Sequence, residues 1–428
     1  MEKSIQIPYG RTFQTLHIDE KNLKAVLLPK ENACAAEDEE EIVRKALEAP
    51  VASPRLCELT RDRKRIVLIT SDHTRPVPSR ITLPLLLQEI RRHNPGAEIT
   101  ILIATGMHRP TTGEELTAKF GAEIVQNEKI VIHDAFREED MAFFGILPSG
   151  GELWLNRLLT QADLVLSEGF IEPHFFAGFS GGRKSILPGV ASEKTVMYNH
   201  NARFIASPHA RQGSLRDNPL HRDMLFAARQ AKLRFILNVI LDENKKIIAA
   251  VAGDPEKAHE EGCALCDRRM RLEPAVSDIA VTSNGGYPLD QNIYQSVKGM
   301  TAAEACVRPG GVIIMNAALG DGHGGSAFFN WFASRSGPGD VMRDIENVPP
   351  EETTADQWEA QILARILLKA ACIFVTGEEN RALIESMHMR WAPSADAALA
   401  EALRTVGGDG TVTVIPDGVG VILQEKQP

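Results

Sequence analysis

Short, continuously apolar runs rich in β-branched residues alternate along this chain with longer stretches whose apolar residues recur at helical spacing. No other feature restricts the fold as much. "RIVLIT" (65–70), "EITILIA" (98–104), "KIVIH" (129–133), "DLVLSEG" (163–169) and "RFILNVIL" (234–241) read as strands, and "SRITLPLLLQEIRRH" (79–93) between them reads as a helix. Strands apolar at every position, rather than at alternate ones, are covered by helices on both faces, the condition of a parallel α/β sheet. A charged helix over 254–273 is broken at "EPAVSD". A second series follows: "DIAVTS" (278–283), a helix from about 290 to 308, "VIIMNA" (312–317), helices near 355–370, "CIFVTG" (372–377), a helix near 395–405 and "TVTVIP" (411–416). The expected fold is two α/β domains with mainly parallel sheets, 1–270 and 277–428, and an interdomain active-site cleft. At 428 residues the chain is long enough for both.

The unusual residues sit just after the strands. "SDHTRPVPS" (71–79), "TGMHRPTTGEE" (105–115), "EGFIEPHFFAGFSGGRKS" (168–185), "NGGYPLDQNIYQSVKG" (284–299) and "NAALGDGHGG" (316–325) each follow one. Open α/β sheets bind their ligands at the carboxyl ends of the strands. His73, His108, His174, His200 and His323 lie in such loops, a residue type suited to proton transfer near neutral pH. Arg75, Arg109, Arg183, Lys184 and Lys298 supply cations. Gln291, Tyr294, Gln295 and Lys298 fall at i, i+3, i+4 and i+7 of a helix opening at Asp290, so they share one face, while Ile293 and Val297 turn to the core. The stretch at 178–185 fails the G-x-x-x-x-G-K-[ST] phosphate-loop pattern because Arg183 replaces its second glycine. An anion nest from Gly181 and Gly182 and a tight turn required by the fold are the two readings left open.

Composition narrows the partners. A net charge of −10 argues against nucleic acid or an anionic membrane surface, so a small anion must be held by local cations. No apolar run is long enough to span a bilayer and the first residues lack a signal-peptide core, which points to the cytoplasm. The six cysteines show no disulfide spacing, and Cys263 and Cys266 form a lone CxxC inside a helical stretch, read as helix interior. HExxH, HxH and Cys/His quartet patterns do not occur, so a metal here is one held by few protein atoms.

The motifs "SDHTRPVPS", "GMHRP", "EPHFFAGFSGGRKSILPG", "MYNHNAR", "YQSVKG" and "GDGHGG", with Trp358 further on, closely resemble the nickel-dependent lactate racemase family, the nickel-pincer nucleotide 2-hydroxyacid racemases and epimerases. The resemblance runs through most of the chain. It implies an isomerase that inverts C2 of a 2-hydroxy acid by proton-coupled hydride transfer. The cofactor implied is nickel in a pincer nucleotide, pyridinium-3-thioamide-5-thiocarboxylic acid mononucleotide, linked to Lys184. By the same resemblance His200 is the protein ligand to nickel, and His108 and His174 are the acid/base pair. Arg75 and Lys298 bind the substrate carboxylate, Tyr294, Gln295 and Trp358 line the pocket, and Asp72 orders the site. Gly181, Gly182 and Arg183 then let the chain approach the nucleotide and meet its phosphate, and Phe175 and Phe176 wall off water. The partners implied are a small 2-hydroxy acid and the enzymes that build the cofactor. Lactate or a related short aliphatic acid is favoured, because Phe176, Tyr294 and Trp358 offer ring surface; Arg109 and His323 are the groups that could instead hold a polar tail. The same mechanism on an aromatic, dicarboxylic or sugar acid, or a non-catalytic carrier of the cofactor, are the alternatives. An NAD-dependent redox enzyme is disfavoured because no GxGxxG follows a strand.

Overall fold

The computed structural model describes residues 1–29 and 38–424; Cys34 lies outside the described residues. The chain forms two compact units. The first comprises the described residues of Asn32–Asn199 and Pro208–Arg268; the second comprises those of Met1–Glu31, His200–Ser207 and Arg269–Pro428. A single division at 270–277 therefore needs correcting in two places. Residues 1–29 join the second unit because Leu23–Val26 pairs in parallel with Val412–Ile415. The hairpin before it, Glu2–Tyr9 with Thr12–Asp19, also places Ile5, Ile7, Leu16 and Ile18 in the core with Ile279, Val281 and Val414. Residues 200–207 join it through Gln361, whose Nε2 donates to the Ala202 carbonyl at 2.8 Å.

The first unit is built on a six-stranded sheet in the order Ile247–Gly253, Leu233–Leu241, Leu164–Phe170, Arg65–Ser71, Glu98–Ala104, Lys129–Ile132. Every neighbouring pair is parallel except the first. Ile66 to Ile69 are buried on both faces, as their unbroken apolar run requires. On one face the helix Ser79–His93 packs Leu83, Leu86, Leu87 and Ile90 into the core with Leu68, Ile101 and Ile103. Arg65–Ser71 comes first in the chain. The next two strands step away to one side, and Leu164–Phe170 then returns to the other, so the direction of winding reverses between these two neighbours. Outside the carboxyl ends of the strands at such a reversal lies the binding crevice of an open α/β sheet. Asp72 follows one of them and His174 the other.

The second unit has an all-parallel sheet in the order Arg390–Ala392, Ala371–Val375, Val307–Asn316, Ser277–Ser283, Val412–Ile415, Leu23–Val26. The helix after Ser277–Ser283 begins at Ile293 rather than at Asp290, with Asn292 as its cap accepting from the Gln295 N–H at 2.9 Å. Asp290 is buried instead, and its Oδ2 accepts the N–H groups of Gly10 and Ala318 at 2.6 and 3.2 Å. Ile293 and Val297 are fully buried, as the helical spacing requires. Cys263 and Cys266 are buried inside the helix Lys257–Met270. No described helix is long and apolar enough to cross a membrane.

Candidate active site

The loop after Leu164–Phe170 is organised around one buried cation. Arg183 is 1% exposed. Its Nη2 donates to the Ala177 carbonyl at 2.7 Å, its Nη1 to those of Phe179 at 2.8 Å and Gly181 at 3.3 Å, and its Nε to His221 Nδ1 at 3.0 Å. His259 Nε2 lies 3.0 Å from the same Nη1. Burial lowers the Arg183 pKa to about 10, which leaves it charged at neutral pH. Burial first, and the Arg183 charge second, drive His221 down to about 3 and His259 well below its ordinary value, so both rings are neutral. A Cβ on Gly182 would come within 2.7 Å of the His259 ring, and one on Gly181 within 2.8 Å of the Phe170 carbonyl. The Gly182 N–H is taken by Asn238 Oδ1 at 2.8 Å. Gly181, Gly182 and Arg183 are thus committed to the chain's own packing. Gly181 caps, and Gly182 and Arg183 open, the short 3₁₀ turn Gly182–Ser185 that carries Lys184. Lys184 Nζ stands 5.8 Å from the centre of the Phe176 ring, and Phe175 and Phe176 are both buried.

Two imidazoles accompany this turn in the same unit. His108 Nδ1 lies 2.6 Å from Oδ2 of Asp72, which is 1% exposed, and Thr74 donates to Asp72 Oδ1 from its hydroxyl at 2.6 Å and from its N–H at 3.1 Å. Burial works to raise the Asp72 carboxyl. The hydrogen bonds from His108 and Thr74 and the field of Arg75 outweigh it and hold the group below its usual value. An ionised Asp72 keeps the His108 proton on Nδ1 and leaves Nε2 as an acceptor. His174 is held the other way. Its Nδ1 accepts the Ala177 N–H at 3.3 Å, which places the ring proton of the neutral form on Nε2. It stacks on Phe175, centroids 5.0 Å apart, and meets Phe176 edge-on at 4.6 Å. In their neutral forms the two rings therefore turn opposite Nε2 roles outward, His108 an acceptor and His174 a donor.

The second unit gathers the remaining candidates. His200 is 5% exposed and meets Trp358 edge-on at 5.0 Å. Trp358 Nε1 donates to Tyr294 Oη at 3.3 Å, and Lys298 Nζ donates to Gln295 Oε1 at 2.7 Å. Sequence reading missed the carboxyl beside them. Glu359 is fully buried, neither oxygen has a hydrogen-bond partner among the described residues, and burial pushes its pKa up against the opposing charge of Lys298. The available signal was an acidic residue directly after Trp358 in a largely apolar helical run, "QWEAQILARILL". Of the polar-tail candidates, Arg109 is engaged by Glu115 through both Nη atoms, at 2.9 and 2.5 Å. His323 Nδ1 accepts the Gly325 N–H at 2.9 Å.

Parallel α/β sheets with an aspartate-oriented imidazole, a second imidazole of opposite tautomer and a presented lysine define an enzyme of acid–base chemistry. Comparison with known proteins gives its kind. Residues 9–213 match the lactate racemase N-terminal domain family and residues 272–423 the lactate racemase C-terminal domain family. The chain is 52% identical over 424 residues to the lactate racemase of Thermoanaerobacterium thermosaccharolyticum, covering 99% of this chain and all of that one. It is 50% identical over 423 residues to that of Lactiplantibacillus plantarum, covering 98% of this chain and all of that one. The structure of the lactate racemase apoprotein from T. thermosaccharolyticum matches with a TM-score of 0.96 over 99% of this chain and all of that one. A Thermotoga maritima protein, 19% identical over 90% of this chain and 98% of its own, shares the fold at a TM-score of 0.64. The chain belongs to the lactate racemase family and is an isomerase.

Proposed function

We propose that the chain interconverts the enantiomers of lactate or a related short aliphatic 2-hydroxy acid, with a nickel-pincer nucleotide attached at Lys184. The two oriented imidazoles, His108 on Asp72 and His174 on the Ala177 N–H, carry this reading, since inversion at a carbinol carbon needs one neutral ring to take the hydroxyl proton and one imidazolium to return one. The residues present fit the cofactor. Lys184 is a primary amine on the 3₁₀ turn Gly182–Ser185, and His200 is a buried imidazole. That donor set suits a nickel ion whose other ligands belong to the nucleotide, with His200 as the protein's contribution. When bound, the nucleotide supplies an acceptor and donor of hydride for the substrate C2.

Nε2 of His108 takes the hydroxyl proton of one enantiomer, and Asp72 stabilises the resulting imidazolium. His174, protonated to the imidazolium, returns a proton from Nε2 to the oxygen as the other enantiomer forms and is left neutral; the reverse direction exchanges the two roles. Arg75 and Lys298 hold the carboxylate and keep the planar 2-oxo acid from leaving between the two half-reactions. The bonds that engage Arg109 and His323 favour an apolar substituent, because burying a second carboxylate beside ring surface without a partner costs on the order of several kcal/mol.

The test uses protein co-expressed with its cofactor-making enzymes. Intact mass should show an adduct on the wild type that is absent from Lys184→Ala. Nickel content should fall in His200→Ala but persist in His108→Ala and His174→Ala while these two lose turnover. Single enantiomers of lactate, 2-hydroxybutyrate, malate and gluconate are followed by chiral chromatography. Undiminished racemisation by Lys184→Ala would refute the cofactor assignment, and turnover of malate or gluconate with none of lactate would refute the substrate.

A further inference from the structure

We infer that Glu115 and Lys119, which face the loop 72–75 from the helix Gly113–Phe120, are positioning residues that set the substrate-carboxylate arginine and the Asp72–His108 pair. The inference rests on the proposed roles of Arg75 and His108. It starts from a spacing: the two residues are four apart on one helix, so their side chains leave the same face one turn from each other. Both are aimed at consecutive parts of the same loop. Lys119 Nζ donates to the Arg75 carbonyl at 2.9 Å. Glu115 Oε1 lies 3.7 Å from His73 Nε2, and His73 Nδ1 is in turn 3.1 Å from Thr111 Oγ1, two residues before the helix.

The helix itself is held firmly enough to act as a reference. Thr112 and Glu115 form a reciprocal capping box, with the Thr112 N–H donating to Glu115 Oε2 at 2.8 Å, and Arg109 closes on both carboxylate oxygens. These bonds, that from Arg109 first, hold Glu115 down to about 2, so it is ionised throughout the working range. Phe120 and Leu116 anchor the adjoining face in the core. Lys119 is half-buried. Burial lowers its pKa, while Glu168 and Asp72 act to keep it charged and Arg75 opposes them. Glu168 is itself buried, with one oxygen bonded to Thr82 and the other unpartnered.

Between the two anchored residues, His73 and Arg75, lies Thr74, whose hydroxyl and N–H both reach Asp72. A loop of four residues held at both ends has little freedom at its centre, so the carboxylate that fixes the His108 tautomer and the guanidinium that takes the substrate are set by the same clamp. Removing either anchor should shift Arg75 and Asp72 without touching substrate or cofactor.

The experiment compares wild type, Glu115→Gln, Lys119→Met and Lys119→Arg. In the apoprotein, ¹⁵N-histidine ring spectra, with His73 and His108 assigned by single replacements, report the tautomers directly and do not depend on turnover. Both Glu115→Gln and Lys119→Met should lose the fixed Nδ1–H form of His108, and Lys119→Arg should restore it. In the holoenzyme, Lys119→Met should lower kcat/KM on the order of tenfold to a hundredfold, mainly through KM, with cofactor adduct at wild-type level. Unchanged His73 and His108 ring signals in both variants would overturn the inference whatever the enzyme's substrate. A wild type that carries its adduct but turns over none of the 2-hydroxy acids would instead overturn the functional reading and leave the ring spectra to decide the clamp. If Lys119→Met does not fold, Glu115→Gln and Lys119→Arg carry the same comparison.

Discussion

Replacing Arg183 by Gln separates two roles for a cation beside Lys184. If Arg183 contacted a cofactor, the apoprotein would lose nothing by the change. Instead its two shortest bonds, to the carbonyls of Ala177 and Phe179 at 2.7 and 2.8 Å, are internal and buried. Hydrogen bonds of this charge-assisted kind contribute about 1.5–3 kcal/mol each, and Gln recovers about one neutral bond of 0.5–1.5 kcal/mol. The net loss is then about 2–5 kcal/mol. For a unit of this size each kcal/mol lowers the melting temperature by about 2–4 °C, so a drop of roughly 4–20 °C is expected. Thermal melts followed by circular dichroism on apoprotein made without the cofactor enzymes measure it. Arg183→Lys keeps the charge but not the planar fork, and should fall between. An Arg183→Gln apoprotein that melts with the wild type, yet fails to retain cofactor, would show that Arg183 serves the ligand and that the loop does not depend on it.

Asp72→Asn should leave the fold intact but release the His108 tautomer, lowering kcat on the order of 10³–10⁴-fold; a loss within tenfold by chiral chromatography would refute the orientation argument. Buried His259 and His221, and His133 with them, stay neutral in the folded state because burial depresses their pKa values. Below their ordinary value of 6.5 the unfolded chain takes up protons that the folded chain refuses. Stability therefore falls as the pH drops from about 6.5 toward the folded values, about 3 for His221, by up to about 1.4 kcal/mol per pH unit for each group. Urea midpoints at pH 7.5, 6 and 5 should decline in that order, and a flat series would contradict the burial. Gly182→Ala should cost about 2–4 kcal/mol by urea unfolding, from left-handed backbone at φ +51° and the close approach to His259; an unchanged midpoint would count against the packing described.

Where the chemistry of a segment is local, the sequence was a sufficient guide. The helix at 79–93 has the bounds read from its periodicity, Ser79–His93, and the strand at 98–104 those read from its apolar run. The Asp72–His108 contact joins positions 36 apart, yet both follow neighbouring parallel strands, so the topology alone brings them close. The partners of Arg183 were not legible in the sequence, for a physical reason. Its partners are backbone carbonyls, which every residue type carries, so nothing in the letters distinguishes a cation that holds its own loop from one that awaits a phosphate. The terminal hairpin had a legible signal, since Ile5 and Ile7 alternate with exposed residues and Leu16 and Ile18 do the same around the turn at Gly10. Its destination was not legible, because the partners of Leu23–Val26 are non-local.

The pairing of Leu23 with Val412 also sets a timetable for synthesis. The edge strand leaves the ribosome roughly 390 residues before the strand it joins, and at about 5–20 residues per second that interval is roughly 20–80 s. During it the first unit is synthesised in full and has time to fold, while Ile5, Ile7, Leu16 and Ile18 wait without the core that later covers them. These residues thus reach their final surroundings long after they are made, and until then their open strand edge is available for aggregation.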